Sequence, residues 1–259
     1  MQTKKRTTKN PNSVIRRFIH HRLALIGFIT LSILVLAVLI LPGLLHLDPY
    51  TTGHGIPFSA PSKGFPLGVD NAGRDSFARL VYGGRVSLLV GLLSTAISVL
   101  IGLPLGILAA YYGGVLDTII MRIADVFISF PSTIFILVLV SVIGPSMWTL
   151  IFVMGFLSWP EFARLIRSSV LSVRRKEYVE SARAIGAKDA RVIGRYILPN
   201  SLGPIIVAAT FRVAGAILQE SSLSFLGMGV IPPTASWGNI LNGAQSLTVL
   251  TACPWAWIP

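Results

Sequence analysis

The sequence predicts an all-α protein that crosses a membrane five times. Three observations carry this. Of its 259 residues, 53% are hydrophobic and 12% charged, where a soluble domain carries about 25% charged residues. The run from Leu23 to Leu41, LALIGFITLSILVLAVLIL, contains no charge and has the length needed to cross a bilayer, about 20 apolar residues. Four further apolar stretches follow, separated by segments rich in Pro, Gly or basic residues.

Each element follows in order. Residues 1–22 hold Lys4, Lys5, Arg6, Lys9, Arg16, Arg17 and Arg22 and no acid. They form a basic N-terminus ahead of the first span, residues 23–41. That apolar run is longer than the core of a cleaved signal, about 7–15 residues, and it ends at Pro42-Gly43, so a retained anchor is expected. Residues 42–85 are expected to form an extracytoplasmic loop, and residues 86–259 the core. Within the core, spans are expected at Val86 to Tyr112, Ile119 to Ile143, Met147 to Val170 and Gly203 to Val230. Pro131 and Pro160 fall inside the third and fourth, where a missing backbone donor kinks a helix. Gly91, Gly102 and Gly106 recur along the second, and small residues let helices approach closely.

Basic residues concentrate in cytoplasmic loops. With the N-terminus in the cytoplasm, seventeen of the 22 lysines and arginines fall inside, and only Lys63, Arg74, Arg79 and Arg85 fall outside. The net charge of +12 is therefore read as a topology signal. Nucleic-acid binding is not expected, because no soluble basic domain is present.

The informative cytoplasmic segment lies in the loop 171–200. From Arg174 to Asn200 it reads RRKEYVESARAIGAKDARVIGRYILPN. The pattern predicts a short amphipathic helix, a break at Gly186, and a second helix ended by Pro199. Tyr178, Ala182 and Ile185 recur at helical spacing on one face, and Gly186 supplies a backbone position open to the left-handed region. Such a helix–glycine–helix unit is a compact knob that a soluble partner can grip.

Glu180-Ser181-Ala182, Gly186 and Leu198-Pro199 resemble the Glu-Ala-Ala…Gly loop of ABC importer permeases, with Ser181 in place of the first alanine. The stretch from Phe65 to Gly91, FPLGVDNAGRDSFARLVYGGRVSLLVG, is similar to a signature of the second permease subunit of dipeptide, oligopeptide and nickel importers. Residues 219–227 and Ser236-Trp237-Gly238 are similar to the same group. The resemblance covers nearly the whole chain. It implies a type I importer permease bundle in which this loop couples to an ATPase. Tyr178, Glu180, Ser181, Ala182, Arg183, Gly186 and Ala187 would then form the coupling site. It further implies a second permease subunit, two ATP-binding subunits that use ATP and Mg, and an extracytoplasmic binding protein. The location would be the cell inner membrane. A sixth span beyond Pro259 is also implied, so the chain is expected to be short of one.

In the loop before the second span, Gly68, Gly73 and Gly83-Gly84 suit turns, and Arg74, Asp75 and Arg79 suit a hydrogen-bonded external cap. Ionisable groups inside a bilayer are costly and therefore mark function. Arg212 and Glu220, with Gln219, are the pathway or gate candidates of the fifth span. Arg122 with Asp125, and Glu161 with Arg164, have the spacing of local ion pairs. No phosphate-binding G-x-x-x-x-G-K-[ST] loop occurs, so an enzymatic role and a bound nucleotide are not expected of this chain. Cys253 is the single cysteine. His20 and His21 point apart on a helix, and His46 and His54 lie in a loop, so no metal site and no catalytic set is expected. Di- or oligopeptides are the expected substrate, with nickel, metallophores or glutathione as alternatives. An ion-coupled secondary transporter, or a membrane protein without transport, are the competing classes.

Overall fold

The computed structural model describes residues 18–258, in two compact units divided between Leu47 and Asp48. The basic residues Lys4, Lys5, Arg6, Lys9, Arg16 and Arg17 lie outside the described residues. In the first unit, α1 (Arg22–Leu44) is the expected first span. His21 caps it by accepting a hydrogen bond from the amide of Ala24 at 3.2 Å, which satisfies one of the donors that every helix start leaves free.

The second unit is built on α2 (Ser76–Tyr112), a 37-residue helix. It begins ten residues before the expected Val86, because Asp75 accepts from the amide of Phe77 at 2.9 Å and caps the helix there. Gly83 and Gly84 therefore lie inside α2 and not in a turn. A side chain at Gly83 would come within 3.1 Å of the Ser236 backbone, so this glycine serves close packing. Gly68 and Gly73 do occupy turns, at φ +70° and +72°.

The third expected span is a broken one. α3 (Gly114–Ser129) and α4 (Ser132–Ile143) are bent by 82° about Phe130-Pro131. Proline drives the residue before it out of the helical region, and Phe130 is extended at φ −95°, ψ 139°. The fourth span comprises α5 (Met147–Leu157) and α6 (Trp159–Arg174). Pro160 sits in the first turn of α6, where its missing N–H is one that no helical bond would have used. Next come α7 (Glu177–Ala184) and α8 (Asp189–Val192). One π-helical turn over Ile193–Ile197 then leads straight into α9 (Leu198–Phe225). Pro199 thus lies just past the π-helical turn and does not end the helix. The fifth span runs continuously from Asp189 to Phe225. Among the described residues, four helices are long and apolar enough to cross a membrane, and the bent pair, counted as one span, brings the number to five.

Glycines set how closely α2 meets its neighbours. A Cβ at Gly106 would lie 2.6 Å from the carbonyl oxygen of Ala163, one at Gly102 2.7 Å from Phe162, and one at Gly91 2.6 Å from Ile217. Contacts under 3.0 Å are steric overlap, so α6 and α9 can approach α2 this closely only because hydrogen stands there. Two apolar clusters result. One joins Ile107, Tyr111, Phe162, Ile166, Val179 and Ile197 near the end of α2. The other joins Val90, Ile136, Val140, Leu150, Met154 and Leu223. Beyond α9, α10 (Trp237–Gly243) begins with a reciprocal cap between Ser236 and Asn239, and α11 (Leu247–Ala252) follows. Trp255 then donates to the carbonyl of Phe58 at 3.2 Å.

Candidate functional site

α7 is eight residues long and has Glu177 and Glu180 in its first turn and Arg183 in its last, charges placed to suit the helix dipole. It ends in a Schellman cap. The amide of Gly186 donates to Arg183 O at 2.9 Å and that of Ala187 to Ala182 O at 3.1 Å. The motif needs a left-handed residue, and Gly186 has φ +80°. No atom lies within 4 Å of where its Cβ would be. The glycine is thus required by backbone conformation and not by space.

The buried face of α7 differs from the expected one. Val179 and Ala182 are buried, whereas Tyr178 is exposed and Ile185 is 85% exposed. The Tyr178–Ala182–Ile185 stripe therefore does not face the protein as a unit. Helical geometry puts Val179 and Ala182 on the inner side, and Ile185 is the first residue past the helix. Glu180, Ser181 and Gly186 are exposed with Tyr178, while Arg183 and Ala187 are half-buried. The knob thus presents a face containing Tyr178, Glu180, Ser181 and Ile185, and it is anchored through Val179 and Ala182.

The anchor centres on Tyr111, near the end of α2, which sequence reading did not single out. Its hydroxyl donates to Asp189 at 2.6 Å. The Arg183 guanidinium lies 4.6 Å from the ring centroid and that of Arg174 lies 6.0 Å from it, within the range of cation–π attraction. Arg174 also donates to Ala110 O at 2.9 Å. One buried tyrosine therefore ties α2 to α6, α7 and α8. The available signal was an aromatic pair, Tyr111-Tyr112, at the end of an apolar run, where a ring can be buried and its hydroxyl hydrogen-bonded.

A second polar centre lies inside the bundle. Glu220 on α9 is fully buried. Its carboxylate accepts from Ser87 of α2 at 2.8 Å and from Ser224 at 2.7 Å. Each serine oxygen accepts a backbone amide in turn, Trp237 N at 3.4 Å and Val230 N at 3.0 Å. Two amides are thus relayed through two hydroxyls to one carboxylate. This holds the 226–238 segment against α2 and α9. Arg212 does not join this centre. It donates to Ser158, at the α5–α6 junction, and to Gln219 at 3.5 Å. Eight residues of separation place Arg212 and Glu220 too far apart along the axis to pair. Of the three pathway candidates, the structure brings Arg212 and Gln219 together and leaves Glu220 with serines.

The remaining charges pair between helices. Asp125 takes Arg122 at 3.7 Å and also Arg164, so Arg164 bonds across to α3 and not to Glu161 as its spacing had suggested. Asp117 takes Arg167 in a bidentate pair, both bonds at 2.5 Å. Asp70, Arg74 and Arg79 form the expected cap. Arg74 and Arg79 donate to one Asp70 oxygen from 2.7 and 3.1 Å.

Residues 102–256 match the family described as binding-protein-dependent transport system inner membrane component. Residues 12–61 match the N-terminal transmembrane domain of oligopeptide transport permease C. The chain belongs to this permease family. A Brucella ovis protein described as a peptide permease is 44% identical over 93% of this chain and 80% of its own length. The dipeptide transport system permease protein DppC of Alkalihalophilus pseudofirmus is 37% identical over 91% of this chain and 77% of its own length. Among solved structures, an inward-facing form of the MetNI methionine ABC transporter superposes with a TM-score of 0.57. It covers 70% of this chain and 89% of that one, at 20% identity. That likeness supports the type I importer permease fold.

Proposed function

We propose that this permease is the second membrane subunit of an ATP-driven importer of di- or oligopeptides, coupled through α7 to a separate ATPase. The observation that carries the reading is the pair of polar anchors on α2. Tyr111 fastens the α7 knob to one end of this helix, and Ser87 fastens the Glu220 centre nearer the other. Twenty-four residues of helix separate them, a rise of about 36 Å, against a hydrocarbon core of about 30 Å. A push on α7 would therefore be carried by one element across the bilayer.

In this reading the N-terminus and the 171–200 loop are cytoplasmic. The exposed face of Tyr178, Glu180, Ser181 and Ile185 meets a groove on one of two ATPase subunits, which bind and hydrolyse ATP with Mg. A second permease completes the pathway, and an extracytoplasmic binding protein delivers the substrate. Ligand-driven switching needs contacts that differ between two states. α7 supplies these at its outer face while its inner face stays fixed. Peptides are the substrate that the named relatives support.

The test is purification from native membranes with mass spectrometry and an ATPase assay in nanodiscs. Recovery of a second permease and an ATPase, with hydrolysis stimulated by a peptide-loaded binding protein, is the expected result. Recovery of this chain without an ATPase would overturn the coupling role. Stimulation by a nickel- or glutathione-loaded protein, and not by peptides, would overturn the substrate.

A further inference from the structure

The Asp70 cap at the start of α2 borders a partly open cavity of about 60 Å³ lined by Asp70, Asn71, Arg74, Ser76, Arg79 and Asn239 among others. That is more than the roughly 10–15 Å³ a single water needs, so the cavity admits a small group. Its electrostatics are one-sided. Arg74 is 8% and Arg79 3% exposed, and both share the single carboxylate of Asp70. The trio therefore carries one net positive charge that is largely, though not wholly, withdrawn from water. Asp75 does not line the cavity and is engaged in capping α2.

The hydrogen bonds point the same way. Arg79 is held by the carbonyls of Pro233 at 3.1 Å and Pro49 at 3.4 Å and by Asn239 at 3.4 Å, which leaves it little freedom. Arg74 gives Nε to Asp70 at 2.7 Å and Nη2 to Asn71 at 3.4 Å. Among the described residues its Nη1 meets no protein acceptor and is not one of the fully buried atoms, so it is a donor on the open side of the cavity. Nη1, the Asn71 amide group and the Ser76 hydroxyl are donors on the lining. Buried charge is stable when paired and hydrogen-bonded, and a guanidinium matches a carboxylate or halide through its fork of donors.

We propose that this cavity binds a small monovalent anion, chloride or a simple carboxylate such as formate, with Arg74 as the principal ligand. The inference does not depend on the transport reading. It assigns the cap a role in closing the α2 start against α10 and the 232–233 segment through a shared anion.

The test uses the full chain in detergent at constant ionic strength, with gluconate replaced stepwise by chloride or by formate. Ligand that binds only the folded state raises the melting temperature saturably, by roughly 3–5 °C at ten times Kd for a chain of this size. The rise is expected for the wild type and for Arg122→Gln, an exposed arginine elsewhere. It is expected to vanish in Arg74→Gln. Line broadening of the 35Cl resonance, displaced by formate, gives a readout independent of stability. It should fall to background in Arg74→Gln. A response to formate alone assigns carboxylates, and a response to both assigns anion size; either supports the site. Identical melting in gluconate, chloride and formate, or an unchanged response in Arg74→Gln, overturns it.

Discussion

Three glycine substitutions separate conformational need from packing need at the coupling end of the bundle. Gly186 and Gly194 both have open space where a Cβ would stand, but only Gly186 has positive φ. An L-residue in the left-handed region costs about 1–2 kcal/mol. Gly186→Ala should therefore lower the population of the capped α7 by roughly 5- to 30-fold relative to uncapped forms. Gly194→Ala, in a helical backbone, should be neutral or stabilising by up to about 1 kcal/mol. Gly106→Ala differs from both, because its new methyl would meet the Ala163 carbonyl at 2.6 Å and Ile166 at 2.9 Å. Backbone cannot step aside as a flexible side chain does, so α2 and α6 must separate, at about 1–3 kcal/mol. The assays are melting of the purified chain and peptide-stimulated ATPase activity of the complex. Gly186→Ala should lose coupling with little change in melting, Gly106→Ala should lower melting, and Gly194→Ala should change neither adversely. The reasoning fails if Gly186→Ala couples like the wild type, or if Gly194→Ala is as harmful as Gly186→Ala.

Three further outcomes follow from the polar contacts. Tyr111→Phe keeps the ring under Arg183 but removes the bond to Asp189, so stimulated hydrolysis should become less dependent on substrate while assembly persists; an unchanged ratio of stimulated to basal activity would count against the tyrosine anchor. Glu220→Gln replaces one of two acceptor oxygens by a donor, leaving one of the two serine hydroxyls without its acceptor, and should cost about 1–3 kcal/mol. Glu220→Ala strands both hydroxyls and should cost more, so equal melting of the two variants would contradict the network. For the Asp117–Arg167 pair, the exchange Asp117→Arg with Arg167→Asp should recover stability lost by either single change, by about 0.2–1 kcal/mol; a double variant no better than the worse single one would show that the bond is incidental.

Much of the fold was legible in the sequence because a bilayer imposes a length and an apolar composition that few other environments demand. The positions of the five apolar segments, the break at Pro131 and the left-handed residue at Gly186 follow from local chemistry alone. Helix ends were less legible. α2 starts at Ser76 because Asp75 caps it, and a cap is a single hydrogen bond that composition does not register. Pro160 and Pro199 were expected to kink or end helices. In the structure Pro160 occupies the first turn of α6, and Pro199 follows a π-helical turn inside one continuous helix.

The site divides along the same line. Neighbouring residues were enough to show that residues 177–187 form a helix ended by a glycine, and that Arg212 and Glu220 lie within an apolar helix. The packing of distant helices fixes which face of α7 is exposed, that Tyr111 holds it, and that Glu220 is answered by Ser87 and Ser224 while Arg212 turns to Ser158 and Gln219. Local spacing predicted a Glu161–Arg164 pair, yet Arg164 reaches Asp125 across a helix interface. The physical reason is range. Propensity, capping and φ are fixed by neighbours within a turn of chain, whereas a buried polar group is satisfied by whatever donor the packing of distant helices brings within about 3 Å.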